Sequence, residues 1–392
     1  MRGLALEGGG ARGAYHMGVV KALMENGYVF DGFVGTSIGA VNAGALAQGN
    51  LDAALELWAN ISLKNLLGDN EQQILEYINS KGVKANAEFI SLIKNAFSKM
   101  KAGINTGSMK TFLQNHIDEA LVRGSGKDFG LVTISLDDFK PHELMLEDIP
   151  QGQLLNYIMA SASLPIFQRE VIGEKRFLDG AFYNNCPYHL LLDRGYDEVI
   201  VVRTNARGIF RKVTDPSKVK VITPRDDLGQ TMLFSPENCA ANIRLGYYDG
   251  MRYARGLRGT AYYIALTDTA QADLPLMSLP REVILEAGKA LGIAQMPAKR
   301  MLFEKIIPRL SKYLKLDKNS DYADFAIALL EHMASRREVE RFQVYDYASL
   351  CALVKSSPTV KEESGFLQSV PLKLKVGNEK AAIEILGNGL YA

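Results

Sequence analysis

The stretch from Val29 to Ala47 reads as a strand, an abrupt turn and a helix, with a serine at the turn. In the pattern Gly35-x-Ser37-x-Gly39 the two glycines remove the Cβ atoms that would clash where a strand reverses into a helix. The Ser37 hydroxyl is then held out at the strand's C-terminal end. Helix amides begin directly behind it, and they favour negative charge developing on an attacked carbonyl oxygen. Ser37 is therefore a candidate nucleophile. The bland alternative is a glycine-rich connection with a solvent-facing serine, and the motif alone does not separate the two.

Upstream, Gly3-Leu4-Ala5-Leu6 is a short apolar run suited to a strand covered on both faces, and it leads into Glu7-Gly8-Gly9-Gly10-Ala11-Arg12-Gly13. A helix is expected next, from Met17, Val20, Leu23 and Met24. Gly8-x-Gly10-x-x-Gly13 also matches the dinucleotide fingerprint, with Asp31 as the acid beyond it, so a nicotinamide-binding Rossmann oxidoreductase is a live alternative. The other use of such a loop is a nest of backbone N–H groups for an anion or oxyanion, with Arg12 adding charge or bracing the loop.

The 392 residues suffice for one large α/β domain with an appendage, or for two domains. A net charge of +1 gives no general electrostatic case for nucleic acid. Cys186, Cys239 and Cys351 have no metal-like spacing and fit a reducing compartment. No apolar run is long enough to span a bilayer, and no leader pattern opens the chain, so a cytoplasmic location is expected.

Residues 51 to 67 continue helically around Trp58, and the polar segment 64–105 is a candidate lid over the strand ends. Phe129 to Leu136 reads as a strand with Glu143 to Leu146 as its antiparallel partner, followed by a helix from Gln153 to Ala162. Lys175 to Asp179 then places an acid at the end of a short strand, with Gly180 and Ala181 behind it. By itself an Asp-Gly pair is a turn.

Together these pieces resemble the patatin-like phospholipases. That family's three signatures appear in order as Gly8 to Gly13, Gly35 to Gly39, and Asp179-Gly180-Ala181. The resemblance covers roughly residues 1–205 and implies a three-layer α/β sandwich with a mostly parallel central sheet. It also implies a serine acyl hydrolase with a Ser-Asp dyad and no cofactor or metal. Carried over by motif, Ser37 is the nucleophile and Asp179 the base. The loop Gly8, Gly9, Gly10, Ala11, Arg12, Gly13 is the oxyanion hole, with donors around Gly9, Gly10 and Ala11. The substrate implied is a lipid or other acyl ester. An acyltransferase or thioesterase, and a non-catalytic lipid-binding protein on the same fold, are the remaining alternatives.

Beyond this core, residues 206–274 read as its remainder and 275–392 as a helical C-terminal region cut by Pro280, Pro297 and Pro308. There Lys299, Arg300, Lys305, Arg309, Lys312 and Lys315 alternate with Met301, Leu302, Ile306, Leu310 and Leu314. That pattern fits either a peripheral contact with an anionic lipid surface or a solvated basic helix face. Among the histidines His16, on the first helix, is the best candidate for a triad. The base proposed ahead of it, Asp179, has an ordinary carboxylate pKa near 3.9 if nothing perturbs it.

Overall fold

The computed structural model describes residues 1–68, 103–213, 215–358 and 377–391. The part of the candidate lid at 69–102 lies outside the described residues. Contacts divide the chain into two compact units, Met1–Gly250 and Met251–Ala392.

The first unit is built on an eight-stranded sheet. Strands β1 (Arg2–Leu6), β2 (Gly32–Thr36), β3 (Asp128–Ser135), β7 (Glu198–Val202) and β8 (Val219–Ile222) run parallel, in the order β3-β2-β1-β7-β8. The hairpin partner β4 (Pro141–Met145) lies antiparallel to β3. The central strands are nearly continuous runs of buried apolar residues because both of their faces are covered. On one face Ala5, Val34, Val199 and Val201 pack with Leu191 and Tyr196, around the short helix His189–Asp193. By the alternation of side chains along a strand, Leu4 and Leu6 point to the other face. There α2 (Ile38–Ala47) comes so close that a Cβ on its Gly39 would lie 2.2 Å from the Leu6 carbonyl oxygen.

The register at β3 positions the site. Residues 130–132 of β3 pair with both β2 and β4, so these two strands occupy opposite edges. Beyond Thr36, which pairs with Val132, the edge vacated by β2 is taken up by the antiparallel β6 (Lys175–Asp179), whose Asp179 pairs with Thr133. Strands β2 and β6 therefore meet end to end along β3, and Ser37 and Asp179 are delivered to the same point from opposite directions. A two-residue strand β5 (Val171–Ile172) finishes the β6 hairpin.

The second unit is mainly helical around a buried cluster that includes Phe325, Leu329, Leu350 and Leu386. It also holds a parallel pair, β9 (Tyr263–Ala265) and β10 (Val344–Asp346), which the sequence reading missed in strands only three residues long. Prolines 280, 297 and 308 do stand at or near helix starts. Met301, Leu302, Ile306, Leu310 and Leu314, the apolar half of the proposed lipid-facing stripe, are buried in this core. Arg300 pairs with Glu304 at 2.9 Å and Arg309 with Glu379 at 2.6 Å, so that stripe is a core-facing helix with a partly neutralised outer side. Among the described residues no helix is long and apolar enough to cross a membrane.

Candidate active site

Ser37 occupies the turn between β2 and α2 with φ 58° and ψ −128°, a conformation L-residues adopt rarely, at a cost on the order of 1–3 kcal/mol. Its neighbours permit the turn. A Cβ on Gly35 would lie 2.1 Å from the Gly39 carbonyl oxygen, and only hydrogen fits at both positions. The Ser37 amide donates to Ser161 Oγ at 3.0 Å, from the end of the buried helix Leu154–Ser161. The neighbouring Thr36 hydroxyl donates to the Asn184 carbonyl at 2.8 Å, tying the turn to the segment behind Asp179.

The Ser37 hydroxyl donates to Asp179 Oδ2 at 2.7 Å. Asp179 is fully buried and its other oxygen accepts the Ala181 amide at 2.8 Å, while its own amide donates to the Ser163 carbonyl at 2.9 Å. Burial raises the Asp179 pKa from 3.8 to about 7, and the bonds from Ala181 and Ser37 pull only partly against it. The unperturbed value expected from sequence is thus corrected by the absence of water around the carboxylate. A hydroxyl so placed can pass its proton straight to the acid.

The glycine loop crosses beside this pair and is held from several directions. Arg12 Nε donates to the Gly229 carbonyl at 2.8 Å and Arg12 Nη1 to the Asn205 carbonyl at 3.1 Å, so this side chain braces the loop. Gly8 donates to the Asn185 carbonyl at 3.0 Å and Ala11 to the Thr231 carbonyl at 2.7 Å. This corrects the expectation for Ala11, whose amide is committed to a carbonyl brought in from far along the chain. The amides of Gly9 and Gly10 have no partner among the described residues. Gly10 has φ 57°, and a Cβ on it would meet the Thr231 carbonyl oxygen at 2.2 Å. The carbonyl of Gly13 accepts Asn42 Nδ2 at 3.0 Å, which fixes the far end of the loop.

Glu7 and Thr204, which sequence reasoning did not single out, complete the cradle. Fully buried Glu7 accepts the Thr204 amide at 2.6 Å and the Asn205 amide at 3.0 Å, and pairs with Arg203 at 2.8 Å. The Thr204 hydroxyl donates to the Gly8 carbonyl at 2.6 Å. Glu7 stands directly before the glycine run, the one signal that marked it. Nothing in sequence marked Thr204.

His16 does not join the pair. It is fully buried with Asn42 Nδ2 donating to its Nδ1 at 3.1 Å, and Asn42 in turn accepts the Trp58 indole N–H at 2.8 Å. Desolvation lowers its pKa to about 3, so it stays neutral. The Rossmann reading fails on position. Asp31 precedes β2 and accepts the Arg2 amide at 2.7 Å, which puts it at the opposite end of the sheet from the glycine loop. A dinucleotide's ribose could not bridge the two.

A pocket opens at Ser37 and Gly10, and every other lining residue is apolar, among them Val41, Leu113, Leu164, Phe167, Met232 and Phe234. Leu66 and Met109, on either side of the undescribed segment, also line it.

Residues 4–192 match the family model described as patatin-like phospholipase. An uncharacterized NTE family protein of Mycobacterium bovis is 25% identical over 306 residues, 76% of this chain and 46% of its own length. A patatin-like phospholipase domain-containing protein of Caenorhabditis elegans is 28% identical over 200 residues, 49% of this chain and 13% of its own. This chain thus spans less than half the length of the curated relatives it matches over most of its sequence. VipD from Legionella pneumophila, a solved structure, aligns with a TM-score of 0.39 at 13% identity, covering 100% of this chain and 91% of that one. With the three signature motifs converging on one serine-carboxylate pair, residues 4–192 belong to the patatin-like phospholipase family.

Proposed function

We propose that the chain is a serine acyl hydrolase that cleaves lipid acyl esters, with Ser37 and Asp179 as a dyad. The observation that carries this reading is the 2.7 Å hydrogen bond from the Ser37 hydroxyl to the buried Asp179 carboxylate, at the mouth of an apolar pocket. The acyl chain lies in that pocket with its carbonyl carbon over Ser37. Asp179 takes the hydroxyl proton as Ser37 Oγ attacks, and the oxyanion receives the Gly9 and Gly10 amides. As the tetrahedral intermediate collapses, the Asp179 proton goes to the departing alkoxide. Water then enters, gives its proton to Asp179 and attacks the acyl-enzyme, releasing the fatty acid and restoring Ser37. A carboxylate with a pKa near 7 is a stronger base than an ordinary one and is still substantially ionised at neutral pH. Family membership and the apolar lining together favour a glycerolipid acyl ester as substrate.

The test is hydrolysis of a series of p-nitrophenyl acyl esters by the wild type and by Ser37→Ala. The reading expects turnover with the wild type and a fall of at least about a thousandfold in kcat for the variant, with unchanged melting behaviour. Comparable turnover by both proteins would refute it.

A further inference from the structure

The end of the sheet that carries Ser37 combines exposed apolar side chains with cations that have no ion-pair partner among the described residues. Residues 203–213, which follow β7, contain Arg203, Arg207, Arg211 and Lys212 and no acid. Arg203 pairs with Glu7 at 2.8 Å and Arg211 with Glu143 at 3.3 Å. Arg207 and Lys212 are exposed, and neither has an ion-pair partner among the described residues. Between them stands Ile209, 53% exposed. Its amide donates to the Ala181 carbonyl at 3.1 Å and its carbonyl accepts the Asn185 amide at 2.7 Å. This basic, apolar loop is therefore stitched to the turn that holds Asp179, next to Phe182, which is 43% exposed.

Two further segments at the same end of the sheet repeat the theme. Leu233 is 43% exposed, while its neighbours Met232 and Phe234 line the pocket. Phe139, at the tip of the β3–β4 hairpin, is 80% exposed and has φ 53°. A left-handed position in a turn suits Gly, Asn or Asp, and a bulky aromatic there is a true outlier. Neither stability nor solubility accounts for that choice. At the tip Arg176 pairs with Asp137 at 2.7 Å and Lys175 with Asp138 at 2.9 Å, leaving Lys140 exposed and without an ion-pair partner among the described residues. The segments 136–140, 180–188, 203–213 and 224–234 together hold six cations against four acids, in a chain whose overall charge is only +1.

We propose that this end of the first unit docks on an anionic lipid bilayer. The side chains of Phe139, Phe182, Ile209 and Leu233 enter the headgroup region, and Lys140, Arg207 and Lys212 meet lipid phosphates. The inference rests on the acyl-ester reading of the same pocket, because these apolar side chains stand at the end of the sheet where the pocket opens at Ser37, with Leu233 between two residues that line it. The free-energy gain comes from burying apolar surface that is otherwise wetted, with the cations adding attraction that weakens as salt rises.

The experiment is flotation of the full chain with vesicles of phosphatidylcholine alone and of phosphatidylcholine with 30% phosphatidylglycerol. The variants are Arg207→Glu/Lys212→Glu and, separately, Phe139→Asn, and hydrolysis of soluble p-nitrophenyl butyrate is measured alongside. Binding at least tenfold tighter to the anionic vesicles is expected for the wild type. The double charge reversal should lower that binding tenfold or more. Phe139→Asn should weaken it several-fold while raising the melting temperature, because Asn accepts the left-handed backbone. Both variants should hydrolyse the soluble ester within twofold of wild type. Vesicle binding that is absent in the wild type, or unchanged in both variants, overturns the docking proposal. Intact vesicle binding with no ester hydrolysis by the wild type would instead overturn the reading of the active site.

Discussion

In the proposed dyad Asp179 sets the pH dependence of turnover. Its carboxyl is raised from 3.8 to about 7 by burial, so it must lose a proton to act as base, and kcat is expected to fall as pH drops through about 7. An acid limb at that pH resembles that of a histidine base, so the substitutions have to separate the two. His16→Gln should leave the limb in place, because His16 bonds Asn42 and is held neutral with its pKa near 3. Asp179→Asn should remove the limb and lower kcat by about two to four orders of magnitude. The same shift acts on stability. A folded-state pKa above the unfolded value means the native protein binds more protons between about pH 4 and 7, so this contribution is complete below pH 4 and is lost as pH rises through 7. Asp179→Asn should therefore raise the melting temperature at pH 8, and much less at pH 4, measured by calorimetry. Loss of activity with gain of stability is the signature of a site that is strained to function.

The elements around Ser37 depend on close backbone approach more than on side-chain packing. Gly39→Ala would force a methyl group to 2.2 Å from the Leu6 carbonyl oxygen, between two rigid elements. A loss of about 1–3 kcal/mol or more is expected in urea unfolding. Gly124→Ala is the internal control, since a Cβ there meets nothing within 4 Å, and it should be neutral or stabilising by about 0.4–1 kcal/mol. Much at this scale was legible in the chain. The runs Gly3 to Leu6, Gly32 to Gly35 and Phe129 to Val132 lie in strands, as residues that are apolar or glycine throughout suggest, and the serine turn follows from its flanking glycines. What was not legible is pairing across long sequence distance. Strand β6 completing the β3 edge beyond β2, Thr231 capturing the Ala11 amide and Glu7 anchoring the loop after β7 each depend on where distant segments come to rest. No local pattern records that. The three-residue strands β9 and β10 are too short to show a period.

At the level of the whole molecule, each unit has its own hydrophobic core. The second unit uses the stripe from Met301 to Leu314 for that purpose, so Leu310→Ala should cost about 2–5 kcal/mol of stability and leave vesicle binding unchanged. Lipid contact is assigned instead to the first unit, at the end of the sheet that holds the dyad, where the pocket opens and where Phe139 is displayed at a backbone angle that disfavours it. In this proposal the dyad and its lipid contact share one end of one sheet, in keeping with the rule that α/β sheets bind their ligands beyond the C-terminal ends of parallel strands. The central claim is that Ser37 is activated directly by Asp179. It is tested most directly by the rate at which a fluorophosphonate labels the protein between pH 5 and 9, with the adduct located by peptide mapping. Labelling on Ser37, slowing as pH falls through about 7 in both wild type and His16→Gln and nearly absent in Asp179→Asn, is the predicted result. An adduct on another residue, or Ser37 labelling that survives Asp179→Asn and disappears with His16→Gln, would contradict it.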